Sequence, residues 1–263
     1  MKFNLYQIDA FTNEIFSGNP ACVVPLKEWL PDEILLKIAK ENAVAETAFF
    51  IDKGDKVHLR WFTPEIEMDL CGHATLAASH ALKSILKHTG EKIIFETLSG
   101  DLEVIARDTL YTLNFPSRKP TGEKLPQVLA DSLNTQPKEV LKARDFVLVF
   151  QSEDDVRNIE INRLYFDQLE LGTGGVIFTA PGNDCDFVSR FFTPRATVFE
   201  DPVTGSAHCS LIPYWAKRLG KTEMYAKQIS PRGGSLICRD MEDRVVISGE
   251  ARTYSIGHFW IDN

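Results

Sequence analysis

A carboxylate in an apolar stretch is the first feature of this sequence that could do chemistry. Glu46 follows Ala45 and stands directly before Thr47-Ala48-Phe49-Phe50. An apolar environment raises the pKa of a carboxyl group, which suits it to exchange protons near neutral pH. A solvated loop glutamate is the plainer interpretation, and composition alone favours it. Other residues of the sequence are needed to distinguish a proton-exchanging carboxyl group from a solvated loop glutamate.

Two predicted helices begin at glycines in matching contexts. Arg60-Trp61-Phe62-Thr63-Pro64 precedes a helix that begins at Gly72-His73, and Arg190-Phe191-Phe192-Thr193-Pro194 precedes one that begins at Gly205-Ser206. The first N–H groups of a helix lack intrahelical acceptors, so they can hold an anion, and glycine allows close approach. Ordinary helix starts also contain glycine. The matched positions nevertheless favour a duplicated α+β unit, with a site in a cleft between two lobes.

Three polar residues lie near these helix starts in the sequence: His73, Asp201 and Ser206. Each has a plainer role, as a satisfied histidine, a turn or capping aspartate, and a helix-start serine. Together with Glu46 they can hold and relay protons. The sequence contains no phosphate-binding or nucleotide-binding glycine motif that would carry phosphoryl or redox chemistry. The set therefore predicts proton transfer.

The elements that position these residues are mostly strands. Helices are predicted over Asp32–Asn42, about Gly72–His88 and Ser206–Leu219, with a short one at Gln127–Leu133. The proline-rich segment 116–137 predicts a crossing between lobes of 1–115 and 116–263, and the N-terminal strand or the last strands could cross between them. The predicted strands, rich in β-branched and aromatic residues, are 5–11, 47–51, 57–62, 93–97, 102–106, 110–115, 146–150, 176–180 and 187–192, followed by strands around Leu236, Val245 and Phe259.

Composition restricts the class of protein and its partners. The chain has 263 residues, of which 44% are hydrophobic and 25% charged, and a net charge of −8. This charge argues against nucleic acid or an anionic membrane as partner, although a local pocket can still bind a small anion. Five cysteines without a CxxC pair indicate a reducing compartment. No signal peptide or membrane-spanning apolar run is visible, so we expect a cytoplasmic protein.

Longer motifs follow one another through almost the whole chain. Two are long and specific: Cys71-Gly72-His73-Ala74-Thr75-Leu76-Ala77 and Glu200-Asp201-Pro202-Val203-Thr204-Gly205-Ser206-Ala207. The sequence resembles the phenazine-biosynthesis PhzF-like isomerase family in these motifs and in their order. The other matching segments are Asp9–Thr12, Phe16–Ala21, Glu46-Thr47, Arg60–Pro64, Gln228, Arg232–Gly234 and Ile247–Ala251.

The resemblance implies a fold and an activity. The implied fold is α+β and diaminopimelate epimerase-like, with two pseudo-symmetric lobes, each a mostly antiparallel sheet wrapped around a central helix. The implied protein is a homodimer that uses no cofactor and no metal. Glu46 would move a proton between carbons of a small carboxylate-bearing metabolite, in an interlobe cleft. The implied catalytic residues are Glu46, His73, Asp201 and Ser206, and the implied substrate-binding residues are Asn19, Gly72, Ala74, Thr204 and Gly205.

The sequence departs from related patterns at two places. Ala45 stands where the family often has serine, which removes a possible hydrogen-bond partner of Glu46. Related epimerases and racemases use two cysteines, and here Cys71 stands at the first position but Pro202 at the second. A two-thiol mechanism therefore lacks half of its groups. We expect Cys71 to be a buried small residue.

Two other classes of protein remain open at this point. One is a zinc enzyme, for which Cys71, His73, Asp201, His208 or Cys209 would supply ligands. The usual paired zinc motifs are absent from the sequence, which disfavours this class. The other is a non-catalytic protein that binds an anionic metabolite through the helix starts. Exchange of substrate C–H protons with solvent would distinguish an enzyme from a binding protein.

Overall fold

The computed structural model describes residues 1–262, and the chain forms two compact units. The first consists of residues 1–115 together with the chain from Ile247 onward, and the second of residues 116–246. The sequence predicts a second lobe of 116–263 whose last strands could cross to the other lobe. The chain from Ile247 onward belongs with the first unit, because strand β17 (Arg244–Trp260) pairs antiparallel with strand β1 (Lys2–Ala10).

The first unit is a mostly antiparallel sheet around a buried helix. Strands β2 and β3 are parallel, as are β4 and β6, and the other strand pairs with a described register are antiparallel. Helix α2 (Gly72–His80) is buried along its whole length, including its polar residues His73, Thr75, Ser79 and His80. The remaining strands of the unit are β2 Asn19–Pro25, β3 Glu46–Asp52, β4 Val57–Phe62, β5 Glu67–Met68, β6 Lys92–Thr97, β7 Gly100–Arg107 and β8 Leu110–Pro116.

Helix α1 has the bounds that the sequence predicts, Asp32–Asn42, and it buries Leu35, Ile38 and Ala39. It ends because Ala43 adopts a left-handed conformation with φ of 53°. The helix predicted to reach His88 is shorter. After α2 the chain continues as a π-helical turn, Ala81–Ile85, and Lys87 then takes a φ of 62°, which ends the helical path.

The second unit repeats this arrangement around helix α6 (Gly205–Leu219), most of whose residues are buried. Its strands β11 and β12 are parallel, as are β13 and β15, and the other strand pairs with a described register are antiparallel. The strands are β9 Thr121–Gly122, β10 Glu139–Lys142, β11 Phe146–Val149, β12 Val176–Pro181, β13 Phe187–Phe192, β14 Glu200–Asp201, β15 Glu223–Gln228 and β16 Gly234–Met241; the short helices are α3 Gln127–Asp131, α4 Glu153–Arg157 and α5 Arg163–Phe166.

The two units share details that chance does not produce. Arg60 of β4 forms a bidentate ion pair with Glu67 of β5, with N···O distances of 2.7 Å and 2.7 Å. Arg190 of β13 forms the same pair with Glu200 of β14, at 2.7 Å and 2.9 Å. Each guanidinium also lies over the phenylalanine two residues further along its strand. The internal duplication indicated by the two RxFTP segments is therefore present in the fold.

Six strands lie where none was predicted. Three of them are the two-residue strands β5, β9 and β14, and the longer three are β2, β10 and β15. Strand β2 begins and ends with proline-containing dipeptides that resemble loop sequence. Val245 and Phe259, predicted to lie on separate strands, belong to the single strand β17. Among the described helices none combines the length and the apolar character that a membrane crossing requires.

Candidate active site

Glu46 is the first residue of β3, opposite Ala21 of the parallel strand β2. The strand that carries it is fixed, because Ala48, Phe49 and Phe50 are buried. Only 15% of the Glu46 side chain is exposed. The end of α1 is tied to the same place, since Asn42 Nδ2 donates to Thr47 Oγ1 at 3.1 Å. Glu46 is thus a largely buried carboxylate at a rigid strand end, and not a solvated loop residue.

His73 is the second residue of α2, and its imidazole is the group that faces Glu46. His73 Nε2 lies 3.2 Å from Glu46 Oε2. The two atoms are not aligned as a hydrogen bond to an imidazole nitrogen requires, and His73 Nε2 forms no hydrogen bond among the described residues. Burial lowers the pKa of His73 to about 3, so the imidazole is neutral at physiological pH. The pair is therefore a close polar contact between a carboxyl group and a neutral ring.

Cys71 immediately precedes α2 and contacts the same imidazole. Its Sγ lies 3.6 Å from His73 Nδ1. Thr75 Oγ1 donates to the carbonyl of Cys71 at 2.5 Å, which fixes the first turn of the helix. Cys71 is buried, as expected from the sequence. Glu46, Cys71 and His73 each place one potential ligand atom within 4.8 Å of the others, and carboxylate, thiolate and imidazole are donor types that zinc binds.

The remaining predicted residues of the first unit lie on the elements that carry this cluster. Asn19 is buried at the start of β2, where it pairs with Ala10 of β1. Gly72 and Ala74 are the first and third residues of α2, and both are buried. Their N–H groups belong to the unsatisfied first turn of the helix.

In the second unit, the predicted residues Asp201, Thr204, Gly205 and Ser206 surround the start of α6. Thr204 Oγ1 donates to Asp201 Oδ2 at 2.5 Å. The buried side chain of Gln228 holds this loop, because it accepts from Thr204 N at 2.8 Å and donates to the Asp201 carbonyl at 2.6 Å. The loop conformation is thus fixed by side-chain hydrogen bonds. Gly205 and Ser206 are the first two residues of α6.

Sequence reasoning missed a cation beside Ser206. Arg144 Nη2 lies 3.1 Å from Ser206 Oγ, and the same guanidinium pairs with the fully buried Asp145. The sequence carried a signal for it, since Arg144 and Asp145 stand directly before a predicted strand, as Glu46 does. Adjacent charges at the edge of a buried strand need partners, and here Arg144 and Asp145 pair with each other while Arg144 also donates to the Ser206 hydroxyl.

The other residues weighed as zinc ligands have different roles. His208 Nδ1 lies 2.8 Å from the carbonyl oxygen of Thr204, so this nitrogen carries the ring hydrogen. Burial raises the pKa of Cys209 to about 11, which disfavours the thiolate that a metal requires. Both residues lie on α6 of the second unit.

Comparison with known proteins identifies the class. The family model for phenazine biosynthesis-like proteins matches residues 8–257. An uncharacterised isomerase of Pseudomonas aeruginosa is 46% identical over 252 residues, covering 95% of this chain and 96% of that protein. The crystal structure of a PhzF-family protein from Enterococcus faecalis superimposes with a TM-score of 0.94 at 43% identity, covering 99% of this chain and 100% of that one.

The same fold extends to more distant epimerases. A hydroxyproline epimerase from Agrobacterium vitis, whose structure contains trans-4-hydroxy-L-proline, has a TM-score of 0.62 at 12% identity and covers 100% of this chain and 93% of that one. This similarity shows the fold alone, and it confirms the α+β epimerase-like architecture. The chain belongs to the phenazine biosynthesis-like (PhzC/PhzF) family, and its enzyme class is that of an isomerase.

Proposed function

We propose that this isomerase moves a proton between carbons of a small carboxylate-bearing metabolite, with Glu46 as the general acid/base and without a cofactor. The observation that carries the proposal is the contact between the largely buried Glu46 carboxyl group and the neutral imidazole of His73, at 3.2 Å. A positioned carboxylate of this kind can take a proton from carbon and return it elsewhere.

The neutrality of His73 matters for this role. A charged imidazolium at 3.2 Å would form an ion pair and would hold Glu46 in its carboxylate form. Burial keeps the ring uncharged instead. Both protonation states of Glu46 can then occur during one turnover, as an acid/base residue requires. His73 positions the carboxyl group and does not fix its charge.

The start of α2 supports an anionic substrate. Gly72, His73 and Ala74 are the first three residues of the helix, so their N–H groups lie in its first turn. The side chain of His73 contacts Glu46. Such N–H groups stabilise negative charge, which a substrate carboxylate carries and which grows on the substrate as its C–H bond weakens. Asp201 and Ser206 of the second unit are assigned as further catalytic residues by the family resemblance, and they remain predictions.

Solvent exchange tests this proposal. The bound metabolite is first identified by mass spectrometry of gently purified protein, and turnover is then followed in heavy water. We expect deuterium at the carbon that gains hydrogen, in part or in full, because the carboxyl group of Glu46 exchanges with solvent when the site is open. A requirement for NAD, flavin or ATP in this turnover would contradict the proposal.

A metal-dependent reaction is the second candidate, and the cluster of Glu46, Cys71 and His73 is the observation that favours it. Metal analysis of the purified protein and turnover after treatment with a chelator distinguish the two candidates. We expect turnover to be unchanged by chelation. Stoichiometric zinc that restores a chelated, inactive protein would establish the second candidate instead.

A further inference from the structure

The contact between Arg144 and Ser206 in the second unit has a directional consequence. A guanidinium group can only donate hydrogen bonds. Ser206 Oγ therefore accepts from Arg144 Nη2, at 3.1 Å, and the hydroxyl hydrogen of Ser206 must point elsewhere. Among residues 1–262 no acceptor for that hydrogen is found. Ser206 is thus a donor oriented by Arg144 and still available to a ligand.

Arg144 is itself held rigidly by Asp145. The Asp145 carboxylate accepts from Arg144 Nε at 3.1 Å and from Nη2 at 2.9 Å, and from the backbone N–H of Gly175 at 2.9 Å. Gly175 itself is tightly packed, because a Cβ atom at this position would lie 2.4 Å from the ring of Phe191. The plane of the guanidinium group is consequently fixed before any ligand binds.

One edge of Arg144 remains for a ligand. Its bonds to Asp145 and Ser206 use Nε and Nη2, and Nη1 donates to none of the residues that the structure describes. The side chain keeps 21% of its surface accessible. Nη1 and the Ser206 hydroxyl together offer two donors with a positive charge, and this combination fits the two oxygens of a carboxylate.

Arg118 adds positive charge at the same helix. Pro213 has no N–H to donate to the carbonyl of Cys209 four residues earlier, and Arg118 N donates to that carbonyl instead, at 2.9 Å. Arg118 Nη1 is buried without a hydrogen-bond partner in the described part of the chain. A buried N–H donor without a partner is costly unless an acceptor joins it, and an anion would supply that acceptor. Both Arg118 and Arg144 are close enough to Cys209 to affect its thiol: their positive charges lower its pKa, whereas burial raises it.

We propose that Arg144 binds the carboxylate of a small anion at the start of α6, with the Ser206 hydroxyl as a second donor and Arg118 as additional positive charge. This inference goes beyond the proposed function, since it concerns the second unit alone and does not depend on proton transfer by Glu46. Arg144 would select anions over neutral molecules of the same shape. The chain as a whole has a net charge of −8, so such selection depends on this local positive charge.

Calorimetric titration with benzoate and with benzamide tests the inference, because the two probes share a ring and differ in charge. We expect the wild-type protein to prefer benzoate by about tenfold or more, and Arg144→Met combined with Asp145→Asn to lose this preference. The double variant removes both members of the buried ion pair, so that Asp145 is not left unpaired. Arg144→Lys should retain part of the preference, and Ser206→Ala should lose part of it.

A matched control lies in the same unit. Arg218 is half-exposed near the end of α6 and pairs with Glu139, and Arg218→Met should bind both probes as the wild type does. The inference is overturned if the wild type does not prefer benzoate, or if the Arg144→Met/Asp145→Asn protein keeps the preference while folded. Glu46→Gln should still bind benzoate. A wild type that prefers benzoate through Arg144 but exchanges no substrate proton would refute the proposed function and leave the anion site standing.

Discussion

The two units have the same fold and different chemistry. Phe49 of the first unit is equivalent to Phe178 of the second, because Phe49 pairs with Arg60 and Phe178 pairs with Arg190. Three residues earlier, Glu46 of the first unit therefore corresponds to Gly175 of the second. At the helix starts, His73 corresponds to Ser206. The carboxyl–imidazole contact of Glu46 and His73 thus belongs to the first unit, and the corresponding positions of the second unit hold a glycine and a serine.

The structural residues, in contrast, are conserved between the units. The arginine–glutamate pairs Arg60–Glu67 and Arg190–Glu200 have nearly identical geometry. The duplicated units have kept the ion pairs that link neighbouring strands, while their helix starts carry different side chains. The first holds a carboxyl group against an imidazole, and the second holds a hydroxyl group against a guanidinium group.

The largest effect should come from breaking the acid/base pair at His73. His73→Asn shortens the side chain and removes the ring that contacts Glu46, and we expect turnover to fall by about a hundredfold. Ser206→Ala, at the corresponding position, should reduce turnover less, mainly through a higher KM. Steady-state kinetics of both variants check the asymmetry. A larger loss of kcat in Ser206→Ala would show that the chemistry is not concentrated in the first unit.

The conserved pairs should affect stability equally in both units. Arg60→Ala and Arg190→Ala each leave a mostly buried glutamate without its bidentate partner. We expect each to lower the free energy of unfolding by about 2 kcal/mol or more. Urea unfolding of the two variants measures this directly. If one substitution left the free energy of unfolding unchanged, that ion pair would not stabilise its unit.

Buried histidines should make stability depend on pH in both units. Burial lowers the pKa of His73 to about 3, and of His80 and His208 to about 4. In the unfolded chain these histidines take up protons near pH 6.5, and in the folded chain they do so only at much lower pH. Their contribution to the free energy of unfolding is therefore fully present above pH 6.5 and is lost as pH falls toward the folded-state pKa values. Each contributes at most about 1.4 kcal/mol per pH unit.

Unfolding titrations between about pH 7 and about pH 5 check this dependence, because most carboxyl groups do not yet titrate there. His208→Asn should reduce the slope by the contribution of one proton, since asparagine can still donate to the Thr204 carbonyl but does not ionise. A slope unchanged from the wild type would mean that His208 binds a proton in the folded state.

The smallest expected effect concerns the helix starts themselves. Thr75 and His208 occupy corresponding positions, and each donates to the carbonyl of the residue before its helix, Cys71 or Thr204. Thr75→Val keeps the shape and removes the hydroxyl, and we expect a loss of about 1 kcal/mol in unfolding free energy, with turnover retained. Thermal unfolding and an activity assay suffice. A large loss of turnover would indicate that Thr75 takes part in more than the first helical turn.

Much of the fold could be predicted from the sequence, because the sequence patterns behind it are local or occur in both units. The bounds of α1 followed from its apolar face, and the repeated RxFTP segments located both helix starts. Strand β2 was missed because its prolines favour a loop, although its buried position depends on long-range pairing with β1 and β3. Burial of Glu46 next to His73 was expected only from motif order.

Other features depended on packing that no single motif reports. Arg144 became visible only when β11 brought it beside Ser206, which lies 62 residues further along the chain. The neutrality of His73 likewise follows from the depth of α2 in its sheet, and the sequence gives no measure of that depth. The return of the chain from Ile247 to the first unit depends on the pairing of β17 with β1.

Proton transfer by Glu46 can be tested with one pair of variants. Glu46→Gln keeps the size of the side chain but cannot exchange a proton, and Glu67→Gln alters the structural glutamate that pairs with Arg60. Exchange of substrate hydrogen with heavy water is measured for both proteins. The account predicts a folded Glu46→Gln variant with exchange lower by about a hundredfold or more, and a less stable Glu67→Gln variant that exchanges nearly as fast as wild type. Near-normal exchange by Glu46→Gln would contradict it.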